Sequence, residues 1–251
     1  MEVGWLEQSL ADVRSGADWL SAREVARLGN MRIPKRSQDW RLGRWTAKQA
    51  VAAYLELPRA PSILATIEIR PAASGAPEVF LHNTPAAVSI SLSHRAGCAA
   101  CAIAPPGTLL GCDLEAVEPR GDAFLGDYFA PEEQQLVRRA SSETERFRIL
   151  ALLWSAKEST LKALREGLRL DPRCIEVELG KNFQTMTARG AAAGDFSSWK
   201  AAWHPLCTYD SNEQVFQGWW QCSGELVRTL VSAPASPPPV HLNTAGAIPV
   251  G

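Results

Sequence analysis

Trp45-Thr-Ala-Lys48 in the first half of the chain returns in the second half as Trp154-Ser-Ala-Lys157. Each copy is followed about 20 residues later by a strand-like opening, Ile67-Glu-Ile69 and Ile175-Glu-Val177. A repeat of helix signal then strand signal predicts an α+β protein built as a pseudo-dimer. Two similar halves would each carry a helix on a small, mostly antiparallel sheet, with the active site in the cleft between them. The expected halves are 1–110 and 111–233, followed by a disordered tail, 234–251, that is rich in Pro and Ala.

The remaining local signals fill in that plan. Ser21-Ala-Arg-Glu24 is a capping box, and Gly29 stops the short helix it opens. Pro34 leads a basic stretch into a helix ending before Pro58. Strands are expected at 63–70, 78–82, 87–93, 98–104, 111–117, 175–179, 185–188, 199–204 and 225–233. Pro131, with Glu132 and Glu133, opens one helix. A longer helix runs from about Glu143 to Glu166, with Gly167 as its stop.

Composition narrows the classes. A net charge of −1 over 251 residues gives no global field for nucleic acid or a membrane surface. No apolar run approaches the ~20 residues of a spanning helix, and the N-terminus has no basic signal region. A cytoplasmic protein is expected. The six Cys include Cys98 and Cys101 in an Ala-rich apolar run, which reads as buried free thiols.

Three groups could carry chemistry. In Gly111-Cys-Asp-Leu-Glu115, strand alternation puts Asp113 and Glu115 on one face. Paired carboxylates repel unless a cation lies between them, and oxygen donors suit magnesium; a solvated strand face is the alternative. In the long helix, Glu158 lies beside the apolar stripe with Lys162 at i+4. That is either a marginal ion pair or a third metal ligand beside a phosphate-holding lysine. Lys35, Arg36, Arg41, Arg44 and Lys48 cluster at a helix start, as phosphate ligands or as a solvated face. Ser93 and His94 end an apolar strand just before Gly97. No P-loop, dinucleotide fingerprint or nucleophile elbow is present.

In this order, Gly111-Cys-Asp-Leu-Glu115, Phe129-Ala-Pro-Glu-Glu133 and Trp154-Ser-Ala-Lys-Glu158-Ser-Thr-Leu-Lys162 resemble the 4′-phosphopantetheinyl transferases. The match is to their larger two-domain type, over about residues 30–232. The resemblance implies transfer of 4′-phosphopantetheine from coenzyme A to a serine of an acyl or peptidyl carrier protein, releasing adenosine 3′,5′-bisphosphate; the alternative is a non-catalytic relative that binds coenzyme A or carrier domains. Asp113, Glu115 and Glu158 would hold magnesium. Glu158, Lys162 and Asp113 would be catalytic, with Glu158 as metal ligand, base or both. Lys35, Arg36, Arg41, Ser93, His94, Lys157 and Lys162 would bind coenzyme A. The enzyme would be a monomer with no nucleic-acid or membrane partner. The segment 121–131, with Phe124, Leu125, Tyr128 and Phe129, is a candidate carrier surface with Arg138 and Arg139; its aromatics are alternatively core. The pattern departs from the family's at Ser74-Gly-Ala-Pro77, at Cys112, and at Arg165, where a glycine is usual, so the helix is expected to run on toward Gly167.

Overall fold

The computed structural model describes residues 1–180 and 202–243. In chain order it forms β1 (Gly4–Ser9), α1 (Ala22–Gly29), α2 (Pro34–Tyr54), α3 (Pro61–Leu64), β2 (Ile67–Pro71), β3 (Pro77–Leu81) and β4 (Thr84–Pro85). There follow β5 (Ser89–Arg95), β6 (Cys98–Ala104), β7 (Leu109–Ala116), α4 (Asp122–Tyr128), α5 (Pro131–Arg138) and α6 (Glu143–Ala163). The chain ends with β8 (Glu176–Leu179), β9 (His204–Tyr209), β10 (Val215–Ser223), β11 (Leu226–Ala233) and β12 (Val240–His241). The expected strand at 185–188 and residues 199–201 of another lie outside the described residues. Among the described residues, no helix is long and apolar enough to cross a membrane.

Two compact units result, Met1–Thr108 with Pro239–Gly251, and Leu109–Pro238. The first holds the sheet β12-β1-β6-β5 and the smaller sheet β2-β3-β4, and the second holds the sheet β7-β11-β10-β9-β8. Every strand pair is antiparallel except β1 with β12. Each unit lays one 21-residue helix, α2 or α6, against its sheet. The expected α+β architecture is therefore observed.

The repeated Trp-x-Ala-Lys turn has the same physical role in both units. The Lys48 ammonium is fully buried; it donates to the carbonyls of Trp19 and Leu64, each at 3.0 Å, and lies 2.5 Å from Glu24. The Lys157 ammonium is fully buried too; it donates to the carbonyls of Pro172 and Ile175 and lies 2.8 Å from Glu133. Both glutamates also accept the backbone N–H that opens their own helix, from Ser21 to Glu24 and from Ala130 to Glu133. An aromatic ring completes each lock. Trp19 lies 5.7 Å from the Lys48 ammonium and packs edge-on to Trp45, while Phe129 lies 5.7 Å from Lys157 and contacts Trp154. Each lysine thus ties a long helix to the preceding short helix and to the chain entering the next strand.

Several expectations change. The helix from Pro34 is continuous to Tyr54 because Leu42, Trp45, Ala47, Ala50 and Val51 bury one side of it. α6 stops at Ala163: Arg165 takes φ +61°, the left-handed conformation that a glycine would adopt more cheaply. The tail through Asn243 is placed, because β12 pairs with β1 and the Arg59 guanidinium donates to the Asn243 carbonyl. β1, β10 and α4 were not expected at all. None of the six cysteines forms a disulfide, and Cys101 is buried and Cys98 half-buried.

Lys157→Met should lower unfolding free energy by about 3–5 kcal/mol, because it leaves Glu133 buried without its cation. Adding Glu133→Gln should restore at least half of that loss. Urea titrations of the three proteins measure both.

Candidate functional site

In β7, Gly111, Asp113 and Glu115 share one face, and that face meets α6. Gly111 sets the distance. A Cβ there would sit 1.7 Å from the Ser159 carbonyl oxygen and 2.9 Å from the Ala163 nitrogen, so no other residue allows the helix to lie this close. Buried hydroxyls fix the register of the same helix. Ser155 and Ser159 meet the Thr229 hydroxyl of β11 at 2.8 and 2.7 Å, and Thr160 meets that of Thr208 in β9 at 2.7 Å.

The close approach places Lys162 against the strand. Its ammonium donates to Asp113 Oδ1 at 2.7 Å and to the Cys112 carbonyl at 3.1 Å. Burial pulls its pKa down, but Asp113, Cys112 and Glu158 outweigh burial and the net shift is upward, so the cation is held. The expected Glu158–Lys162 ion pair is replaced by Lys162–Asp113, because the lysine reaches across to β7 rather than along its own helix. Glu115 is held by Arg120 at 2.6 Å. Glu158, half-buried, has its pKa raised, first by burial and then by the charges of Asp113 and Glu115, with Lys162 partly opposing. The three acids therefore act on one another electrostatically. Among the described residues, no three His, Cys, Asp or Glu side chains are gathered tightly enough to enclose a metal ion.

In the first unit, a pocket of about 430 Å³ is lined by Lys35, Arg36, Trp40, Arg44, Ser93 and His94, among others. It opens beside the first turn of α2, which has no side-chain cap and no acidic residue. Burial pulls the Arg44 guanidinium down to about 10, against the pull of Glu24 at 3.8 Å, and the group stacks 5.2 Å from the Trp40 ring.

Lys35, Arg36, Ser93 and His94 thus line one pocket, and three other expected ligands, Arg41, Lys157 and Lys162, lie outside it. Arg41 turns away, donating to the carbonyls of Arg14 and Gly16 and covering the Trp19 ring. Arg44, one helical turn on, lines the pocket. Lys157 is consumed by Glu133 and two carbonyls at zero exposure, so it is a structural cation rather than a phosphate ligand. The aromatic segment is divided between core and partly exposed positions. Leu125 and Phe129 are buried, and Phe124 and Tyr128 pack on Trp154 at 5.2 and 5.1 Å. Arg120 went unrecognised because nothing in the sequence marks its reach back to Glu115. Glu133 belongs to the Phe129-Ala-Pro-Glu-Glu133 motif, but only the fold reveals Lys157 as its partner.

Residues 109–210, which contain Asp113, Glu115, Glu133, Glu158 and Lys162, match the model of the 4′-phosphopantetheinyl transferase superfamily. Over that stretch the chain is similar to that superfamily. It is 25% identical over 165 residues to the 4′-phosphopantetheinyl transferase HetI of a Nostoc species, covering 65% of this chain and 67% of that protein. It also aligns with Helicobacter pylori holo-[acyl-carrier-protein] synthase, whose structure was solved in complex with coenzyme A. That alignment has 18% identity and a TM-score of 0.33, and covers 41% of this chain and 98% of the synthase. A likeness that slight has no bearing on the site.

Two outcomes follow from the geometry of this site. Gly111→Ala should force α6 off β7 and cost at least about 2 kcal/mol, the scale of a buried overpacking defect; a thermal melt reads the loss. Glu158→Gln should raise the melting temperature in metal-free buffer at pH 8 by about 2–4 °C, the response to ~1 kcal/mol in a chain of this size. The sign follows from the raised pKa. The folded state disfavours ionised Glu158, so stability falls as pH rises through the raised value. The gain should vanish below about pH 4, where the glutamate is protonated in both states.

Proposed function

We propose that the chain transfers 4′-phosphopantetheine from coenzyme A to a serine hydroxyl of an acyl or peptidyl carrier protein, in the cytoplasm and as a monomer. The observation that carries the reading is the set on β7 and α6. Lys162 is held cationic against Asp113, and Glu158 is made more basic by burial and by two neighbouring carboxylates. Similarity to the transferase superfamily over residues 109–210 supports it independently.

Asp113, Glu115 and Glu158 fit a hard divalent cation. All three are oxygen donors, and the mutual repulsion recorded in the raised Glu158 pKa is what such an ion relieves. These residues would hold magnesium, which when bound would neutralise the diphosphate and stabilise the departing nucleotide.

The chain's own groups account for the rest. The carrier serine oxygen forms a bond to the phosphorus of the pantetheine phosphate, and the bond from that phosphorus to the adenosine 3′,5′-bisphosphate breaks. The serine proton passes to Glu158, directly or through water. Lys162 offers its ammonium to phosphate oxygens. Lys35, Arg36, Arg44 and His94 line a pocket of suitable charge for the 3′-phosphate, next to the free amides of the α2 first turn. The Trp40 ring on the same wall offers a face for adenine.

Incubation of the intact protein with coenzyme A, magnesium and purified apo carrier domains should add phosphopantetheine to a carrier, read by intact mass. No gain on any carrier of either class would overturn the reading. Asp113→Asn should lower turnover about a thousandfold or more with an unchanged circular dichroism spectrum. Near-normal turnover of that variant would remove Asp113 from the site.

A further inference from the structure

Arg120 is the strongest feature of the second unit that the transfer chemistry leaves unused. It lies in the link between β7 and α4, five residues after Glu115, and its guanidinium is 2.6 Å from Glu115 Oε1. Its side chain is only 17% exposed, and its planar group rests 4.4 Å from the centroid of Phe124. A second acid, Glu118, stands 3.4 Å away with its own side chain 45% exposed. The backbone here is anchored: Arg146 donates to the Arg120 carbonyl and pairs with Asp122 at 2.6 Å. The link is therefore fixed while the guanidinium has two carboxylates within reach.

We propose that Arg120 is the resident counter-ion of Glu115 and competes with a divalent cation for that carboxylate, withdrawing toward Glu118 when the ion enters. The proposal rests on the reading of Asp113, Glu115 and Glu158 as metal ligands. Its physical basis is that a guanidinium and a divalent ion on one half-desolvated carboxylate repel each other. Removing the guanidinium before an ion arrives leaves Glu115 beside Asp113 and Glu158 with less neutralisation, so the pair is stable without metal. Glu118 lowers the cost of release, because the displaced guanidinium keeps an acidic partner and its stacking on Phe124. A free divalent ion is thus held weakly. An ion arriving with a diphosphate brings negative charge that offsets the guanidinium, so Arg120 couples metal binding to binding of the phosphate substrate.

The test is a titration of intact protein with Mn²⁺ alone, counting free ion by electron paramagnetic resonance, without coenzyme A. Arg120→Met should bind Mn²⁺ about tenfold more tightly than the unaltered chain, as loss of a nearby competing cation requires. Arg120→Lys keeps the charge and should stay within about threefold of the unaltered chain. Glu118→Gln removes the second acid and should weaken binding. Weaker or unchanged binding in Arg120→Met would overturn the proposal, since it would make Arg120 a support for Glu115 or a bystander. If Arg120→Met fails to fold, Glu118→Gln decides: unchanged or tighter Mn²⁺ binding there overturns the proposal. Failure of the underlying reading looks different. Neither the unaltered chain nor any variant would bind Mn²⁺, and Asp113→Asn would keep its turnover.

Discussion

Two buried lysines hold this protein together. Lys48 and Lys157 each spend their ammonium on one glutamate and two backbone carbonyls, in places where water does not reach. An isolated charge there would be untenable, and burial does push both lysines downward in pKa. What makes the arrangement viable is that every proton of each ammonium finds an acceptor: one carboxylate and two backbone carbonyls. Each lock also selects a geometry. Only one placement of the long helix satisfies the glutamate at the head of the short helix and the carbonyls before the next strand together.

The functional geometry of the second unit is built on that placement. With α6 pinned by Lys157 at one side and by the Ser155, Ser159 and Thr160 hydroxyls along the sheet, its face can descend onto β7 at Gly111. Lys162 and Glu158 then arrive at Asp113 and Glu115 with little freedom to adjust. The acids and bases that result are mutually perturbing. Glu158 is raised by burial and like charge, Lys162 is raised by its acid partners, and Glu115 is tied to Arg120. Strained electrostatics of this kind costs stability, which is tolerable because the lock and the hydroxyl ladder lie elsewhere on the same helix.

The first unit repeats the lock without the carboxylate pair. Its helix α2 instead presents an uncapped, basic N-terminus to a pocket with an indole wall. The same scaffold thus supplies charge of opposite sign in its two copies: cations and free amides in one, carboxylates with a poised lysine in the other.

Much of this was written in the sequence, for identifiable reasons. The Trp-x-Ala-Lys echo revealed the duplication because a lock that needs an aromatic, a lysine and a helical turn admits few substitutions. Period-two alternation put Asp113 and Glu115 on one face, and the capping box at Ser21 needed only local chemistry. What the sequence could not supply was the partner of each charge. Lys157 and Lys162 stand five positions apart on one helix and look alike as sequence, yet one is fully buried against Glu133 and the other reaches Asp113. Arg41 and Arg44 are both basic residues of α2, and only Arg44 lines the pocket. Phe124 carries no mark in the sequence of its packing on Trp154. Periodicity reports which side of an element a residue occupies, whereas the meeting of two elements distant in sequence fixes burial, pairing and hence pKa, and that meeting exists only in the tertiary structure.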